Sequence, residues 1–177
     1  MIFIWCPLFL TGCVGVPEGI EPVNDFDVTR YTGIWYEIAR LDHSFERGLS
    51  NIHAEYSLRQ DGGIDVINKG YDDHARKWKE ARGRAYFVDD PTVGRLKVSF
   101  FGPFYGGYNI ISLDKKKYSY AVVCGPNRSY FWILARTPKL PDDTLAELIE
   151  FSQQMGFDTS LLIYPVHDQC SSAIKLQ

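Results

Sequence analysis

Side chains able to make or break bonds are few in this sequence, and they are scattered. His43, His53, His74 and His167 stand far apart, and none combines with Cys, Asp or Glu at the spacing of a zinc site. No GxSxG elbow, P-loop or dinucleotide fingerprint occurs. The cysteines are Cys6, Cys13, Cys124 and Cys170. Cys124, in "AVVCGPN", is the candidate nucleophile, but a thiol needs a neighbouring base or cation to become thiolate, and no base adjoins it. Lys115, Lys116 and Lys117 form the only basic run and read as a solvated turn. A formal charge of -3 leaves no electrostatic footprint for nucleic acid. These residues point away from metal chemistry and cofactors, and toward binding.

Binding needs a scaffold. The 177 residues, 45% hydrophobic and 15% aromatic, suit one domain with a sizeable core. From Gly33 onward, short strands alternate with turn chemistry, at 33–40, 51–59, 63–71, 77–88, 94–101, 107–113, 118–124 and 129–136. The connections include "QDGG", "DDPT", "GPFYGG" and "GPN". Eight such strands predict an antiparallel sandwich or an up-and-down barrel. After Pro138 the period changes. "PDDTLAELIEFSQQMGFD" predicts a helix with Pro141 and acids in its first turn, Leu145, Leu148, Ile149 and Met155 on one face, and Gly156 as its stop. It would pack outside the sheet, and "SLLIYP" would follow as a ninth strand.

The first residues, "MIFIWCPLFLTGC", fit the apolar region of a signal peptide over 1–12. Leu10-Thr11-Gly12-Cys13 resembles the bacterial lipobox, which implies acylation of Cys13 and, with Val14 rather than Asp next, sorting to the outer membrane. Several acyl chains exceed the two signals that stable anchoring needs. Residues 13–23, "CVGVPEGIEPV", then read as a lipid-anchored tether, 24–165 as barrel plus helix, and 166–177 as a tail.

Gly33-Ile34-Trp35 opens the first strand after "FDVTRY", and Arg136 closes the eighth in "FWILART". With "WYEIAR", "INKGY", "VSFFGPFYGGYNII" and "VVCGPNRSYFWILARTP" between and beside them, residues 24–165 resemble the lipocalins. The likeness is to their bacterial outer-membrane lipoprotein branch, related to apolipoprotein D and the plant temperature-induced lipocalins. The resemblance selects the fold: an eight-stranded antiparallel up-and-down β-barrel with a C-terminal helix on its outside. In such a barrel Trp35 and Arg136 share one rim, where a guanidinium over an indole contributes about 0.5–2 kcal/mol. Gly33, Trp35 and Arg136 are therefore structural, at the closed end. The loops after strands one, three, five and seven form the open mouth, with Arg47, Phe104, Tyr105 and Arg128 around it.

The resemblance also implies a cavity lined by Tyr56, Asn68, Phe100, Tyr108, Trp132 and Leu134, and ligands that are fatty acids or lysophospholipids. Alternation places Leu96, Val98 and Phe100 on one face, and Tyr108, Ile110 and Ser112 on another. Each buried methylene contributes about 0.8 kcal/mol, so a dozen suffice for micromolar affinity after the costs of binding. Asn68, Tyr56 and Tyr108 would donate to the ligand's polar end. Glu37 shares parity with Trp35 and is expected inside, where a carboxylate needs a partner or a raised pKa. The relatives further imply envelope maintenance, lipid storage or transport, and a homodimer as one option. Two alternatives stand beside this reading: an enzyme using Cys124 as a cavity cysteine, and a purely structural envelope lipoprotein. The apolipoprotein D pairing of a C-terminal cysteine has no counterpart here, because Leu49 to Ile52 contains none for Cys170 to meet.

Overall fold

Eight strands, each with one apolar face, can all hide that face without leaving an open edge only if the sheet closes on itself. In the computed structural model, which describes residues 14–168, it does. Strands β1 (Gly33–Arg40), β2 (Leu49–Leu58), β3 (Ile64–Asp72), β4 (Lys77–Phe87), β5 (Arg95–Phe101), β6 (Phe104–Leu113), β7 (Tyr120–Cys124) and β8 (Phe131–Ala135) pair antiparallel in chain order. β1 then pairs with β8 to complete the barrel expected from the sequence. A short helix α1 (Val28–Tyr31) precedes β1, and α2 (Asp142–Gln154) follows β8. The signal segment, Cys6, Cys13 and Cys170 lie outside the described residues.

Two bulges decide which side chains look inward. On β1, Glu37 faces Leu134, but the register then slips so that Ala39 faces Ile133 and Arg40 faces Trp132. Glu37 and Arg40 therefore both point inside, although strict alternation would separate them. On β6, Ile110 faces Val123 inside, whereas Ser112 faces Val122 in the outer cluster. Ser112 thus leaves the face that alternation gives it with Tyr108 and Ile110, because one extra residue reverses the parity.

Outside the barrel, α2 lays Leu148 and the flanks of Leu145, Ile149 and Met155 over Ile111, Val122, Phe131 and Ile133. Pro141 caps this helix rather than opening its first turn, and Gly156 at φ +82° ends it. "SLLIYP" does not add a ninth strand. Asp158 accepts from the Ser160 backbone and winds Thr159–Leu161 into a 3-10 turn. β1 already has a partner on each side, so the segment makes only a single bridge, Ile163 to Arg40.

One end of the barrel is solid. The Arg136 guanidinium lies 3.9 Å over the Trp35 ring, and Trp35 is fully buried. Arg136 also donates to the carbonyls of Ile34, Arg30 and Tyr118, at 2.9, 2.7 and 3.2 Å. The Trp35 indole N–H donates 2.7 Å to the Tyr31 carbonyl, which ties α1 across the floor. Gly33 at φ +93° takes a backbone shape that disfavours side chains, and a Cβ there would stand 3.4 Å from the guanidinium. Arg136→Ala should destabilise the fold by about 2–4 kcal/mol, through three unpaired carbonyls and the lost cation–π contact. Arg84→Ala, on the exposed wall, should stay within about 0.5 kcal/mol. Urea unfolding followed by tryptophan fluorescence measures both.

Candidate functional site

The interior changes character along the barrel axis. Toward the floor, Phe26, Tyr31, Trp35, Tyr56, Val66, Leu96, Ile110 and Leu134 are buried against one another. Toward the mouth, the inward side chains of Ala54, Asn68, Val98, Phe100, Tyr108 and Trp132 keep part of their surface exposed. The interior is therefore less tightly filled toward the mouth than at the floor, and that is where a ligand would lie. Phe100 can turn into that region because its ring lies over Gly83, where a Cβ would come within 2.8 Å of it. Beyond the Arg84–Ser99 pair, β4 and β5 part, and a groove of about 680 Å³ opens on the barrel wall between Arg59, Asp65, Arg82, Arg84 and Tyr105, with Phe100 at its edge.

The six candidate lining residues share this interior but do different things. Tyr108 O–H sits 2.8 Å from the Tyr31 hydroxyl and 3.0 Å from that of Tyr56. Three hydroxyls joined by two hydrogen bonds leave one proton free to donate. Tyr56 and Tyr108 are thus first occupied with each other and Tyr31, not both open to a ligand as the sequence reading held. Desolvation pushes all three phenols up, Tyr56 to about 12, so they remain neutral donors and acceptors. Asn68 has a buried side-chain oxygen with no hydrogen-bond partner. Leu134 packs into the floor cluster, while Trp132 stands above it with its N–H 3.3 Å from the Glu46 carboxylate.

Glu37, Arg40 and Glu46 form a buried ionic group at the mouth side of Trp132. Arg40 Nε is 3.0 Å from Glu37 and 3.9 Å from Glu46, and its other nitrogens donate to the Leu41 and Glu46 carbonyls. Burial pushes the Glu37 carboxyl well above its ordinary value, and the Glu46 charge pushes it further; burial also raises Glu46. Low polarity thus favours the uncharged form of both carboxyls, opposed by the Arg40 guanidinium. Above it the first loop folds inward, with the His43 ring stacked on Phe45 and Tyr130 and 4.5 Å from Trp132. Desolvation lowers the His43 pKa, which keeps that ring uncharged.

The mouth candidates divide. Phe101 and Phe104 project into solvent at the β5–β6 turn, 83% and 78% exposed. Tyr105 instead lies on the outer wall, edge-on to Tyr86 and under the Lys97 ammonium. Arg47 is held by a two-pronged pair with Asp42, at 2.6–3.0 Å, which keeps the Asp42 carboxyl below its usual range. Arg128 turns away from the hollow and donates to the carbonyls of Met155 and Glu18. Cys124 ends β7 on the outer side, fully buried in the cluster under α2, and burial pushes its thiol up to about 12. It faces away from the interior and is no cavity nucleophile. Among the described residues no three metal-ligating side chains gather, and no helix is long and apolar enough to cross a membrane.

Sequence reasoning missed Tyr31, Arg40, His43 and Glu46. Tyr31 had a local signal, since Asp27 caps α1 by accepting from Thr29 and thereby turns Tyr31 inward. Arg40 had none, because only the bulge turns it inside. The carboxyl group also sets a pH dependence. A folded pKa above the unfolded one stabilises the fold at low pH, and that contribution fades as pH rises from the ordinary glutamate value of 4.5 upward. Glu37→Gln should therefore gain stability relative to the parent between pH 5 and pH 8, read as melting temperatures in matched buffers.

A family model described as a lipocalin-like domain matches residues 26–167. The chain is 56% identical over 164 residues to the outer membrane lipoprotein Blc of Vibrio cholerae, covering 93% of this chain and 96% of that one. It is 34% identical over 152 residues to temperature-induced lipocalin-1 of Arabidopsis thaliana, covering 81% and 80% of the two chains. Among solved structures, the cockroach allergen Per a 4 superposes with a TM-score of 0.69 at 21% identity, over 89% and 98% of the chains, and bears on the fold alone. A closed eight-stranded barrel plugged by Trp35 and Arg136, and a family match across all of it, establish that this chain belongs to the lipocalin-like family.

Proposed function

We propose that this protein is a membrane-anchored lipocalin that holds an acyl chain, as a fatty acid or lysophospholipid, in its barrel and stores or carries it in the cell envelope. The observation that carries the reading is the interior gradient, buried at the floor and partly exposed among Ala54, Asn68, Val98, Phe100, Tyr108 and Trp132. A hydrocarbon tail fills such a space by displacing water from apolar walls. The polar groups there are sparse, and they suit a small head rather than a sugar or nucleotide. The tyrosine trio offers one spare donor. Burial that opposes charge on Glu37 and Glu46, beside the Arg40 guanidinium, weakens repulsion of a carboxylate head.

Attachment to the outer membrane, facing the periplasm, is the matching cellular reading. It is supported by the Leu10-Thr11-Gly12-Cys13 motif and by the printed name of the Vibrio cholerae relative. Acyl chains on Cys13 would hold the protein there.

Two experiments test these parts separately. Ala54 points into the hollow beside Asn68, so Ala54→Trp fills it. That variant should keep its far-UV spectrum and bind oleate at least about tenfold more weakly in a fluorescent fatty-acid displacement titration, a change of 1.4 kcal/mol or more. Undiminished affinity rules out the interior as the site. Cys13→Ala should release the protein from the membrane fraction, whereas retention of the variant in that fraction contradicts the anchor.

A further inference from the structure

Residues 14–23, the described part of the tether expected at 13–23, are fastened along the outer wall from floor to mouth. At the floor, Phe26 packs on Tyr31 and Phe87, and its N–H donates to Thr92. Val23 is stitched between strands, donating to Ile110 and accepting from Gly94, both at 2.8 Å. Ile20 is buried in the cluster under α2. The Glu18 carbonyl accepts from Arg128 at 2.7 Å, and the Gly15 carbonyl accepts from Asn109 at 3.1 Å. Gly15 thereby rests against Gly107 and Pro126, beside the β7–β8 loop at the mouth rim. The described tether thus begins at this rim, and Cys13 directly precedes its first residue, Val14, in the sequence. The Arg128 guanidinium, which also binds the end of α2, locks this path.

The same rim carries the exposed rings. Phe45 lies in the first mouth loop, Trp78 follows the second, Phe101 and Phe104 flank the third, and Tyr130 ends the fourth. Exposed large aromatic side chains therefore stand in or beside three of the four connections, and Trp78, edge-on to Tyr71 and His53, stands on the wall just past the other. Ile163 and Val166 are exposed where their segment pairs with Arg40 and Asn51 near the same end. The floor turns instead carry Arg59, Asp61, Asp89, Asp90 and Lys115 to Lys117, and among the described residues only Ile34 and Leu58 are exposed large apolar side chains nearby. Aromatic rings in this position suit the boundary between lipid heads and tails.

We infer that the mouth is a bilayer-contact surface. The aromatic rim seats on the membrane that holds Cys13, and the wall-bound tether, positioned by Arg128 and Asn109, keeps the barrel mouth-down. The hollow then opens onto lipid, and an acyl chain passes between bilayer and barrel without crossing bulk water. This rests on the reading that Cys13 is acylated and that the interior takes acyl chains.

The test uses the full chain in vesicles of phosphatidylethanolamine and phosphatidylglycerol, with a nitroxide label at Phe104→Cys or Lys116→Cys in a Cys170→Ser background. Both labelled sites are exposed, so neither variant removes packing. Collision with oxygen, which concentrates in lipid, is compared with collision with a water-soluble nickel chelate. The label at 104 should meet oxygen preferentially and the label at 116 the chelate. A label at 116 that reads lipid, or a label at 104 that reads water, overturns the orientation. Intact mass on the same sample separates the two ideas. An unmodified Cys13 overturns the anchor reading and this inference with it, whereas an acylated Cys13 with the mouth in water overturns this inference alone.

Discussion

The fold turns on a guanidinium lying 3.9 Å over an indole. Arg136 comes from the end of β8 and Trp35 from the start of β1, so their contact joins the two strands whose pairing closes the barrel. The same guanidinium binds three backbone carbonyls, and Trp35 binds a fourth acceptor in α1. A cation held over an aromatic face and hydrogen-bonded at its rim fixes one end of the barrel as a solid plug. The space left over must then lie at the other end. Where the ligand goes is a consequence of where the barrel is stopped.

Above the plug the polar groups follow from burial. Tyr31, Tyr56 and Tyr108 cannot leave their hydroxyls bare among apolar neighbours, so they satisfy each other, with one proton over. Glu37 and Glu46 share one arginine in the same interior, and burial raises both carboxyls. The result is a lining that is polar at points and in which burial opposes carboxylate charge. Repulsion of a carboxylate head is thereby weakened, and selection falls to shape and to the spare tyrosine proton.

Much of this was legible in the residues, and the failures share a cause. Turn chemistry and period-2 alternation located all eight strands, and the resemblance to the lipocalins, which implies up-and-down connectivity, put Trp35 and Arg136 at one rim. Alternation cannot see a bulge. One extra residue near Ile38 brought Arg40 inside, and one near Ile111 sent Ser112 out. Nor does alternation say which face of β7 is inward, so Cys124 could be read as a cavity thiol until its burial under α2 was seen. The proline-rich, acidic segment before the barrel has the composition of a linker, but Ile20 and Val23 are enough to bind it to the wall. Arg128 was given to the mouth for its charge, when its planar donors serve backbone carbonyls of the tether and helix.

The central claim is that the hollow between the tyrosine trio and the mouth holds hydrocarbon. Native mass spectrometry of the protein extracted from its own outer membrane tests that most directly, because the ligand is weighed without being chosen beforehand. The account predicts a barrel carrying an acyl-chain lipid that leaves on mild activation, with the covalent acyl groups remaining. A barrel that emerges empty under conditions that preserve other lipid complexes would contradict it.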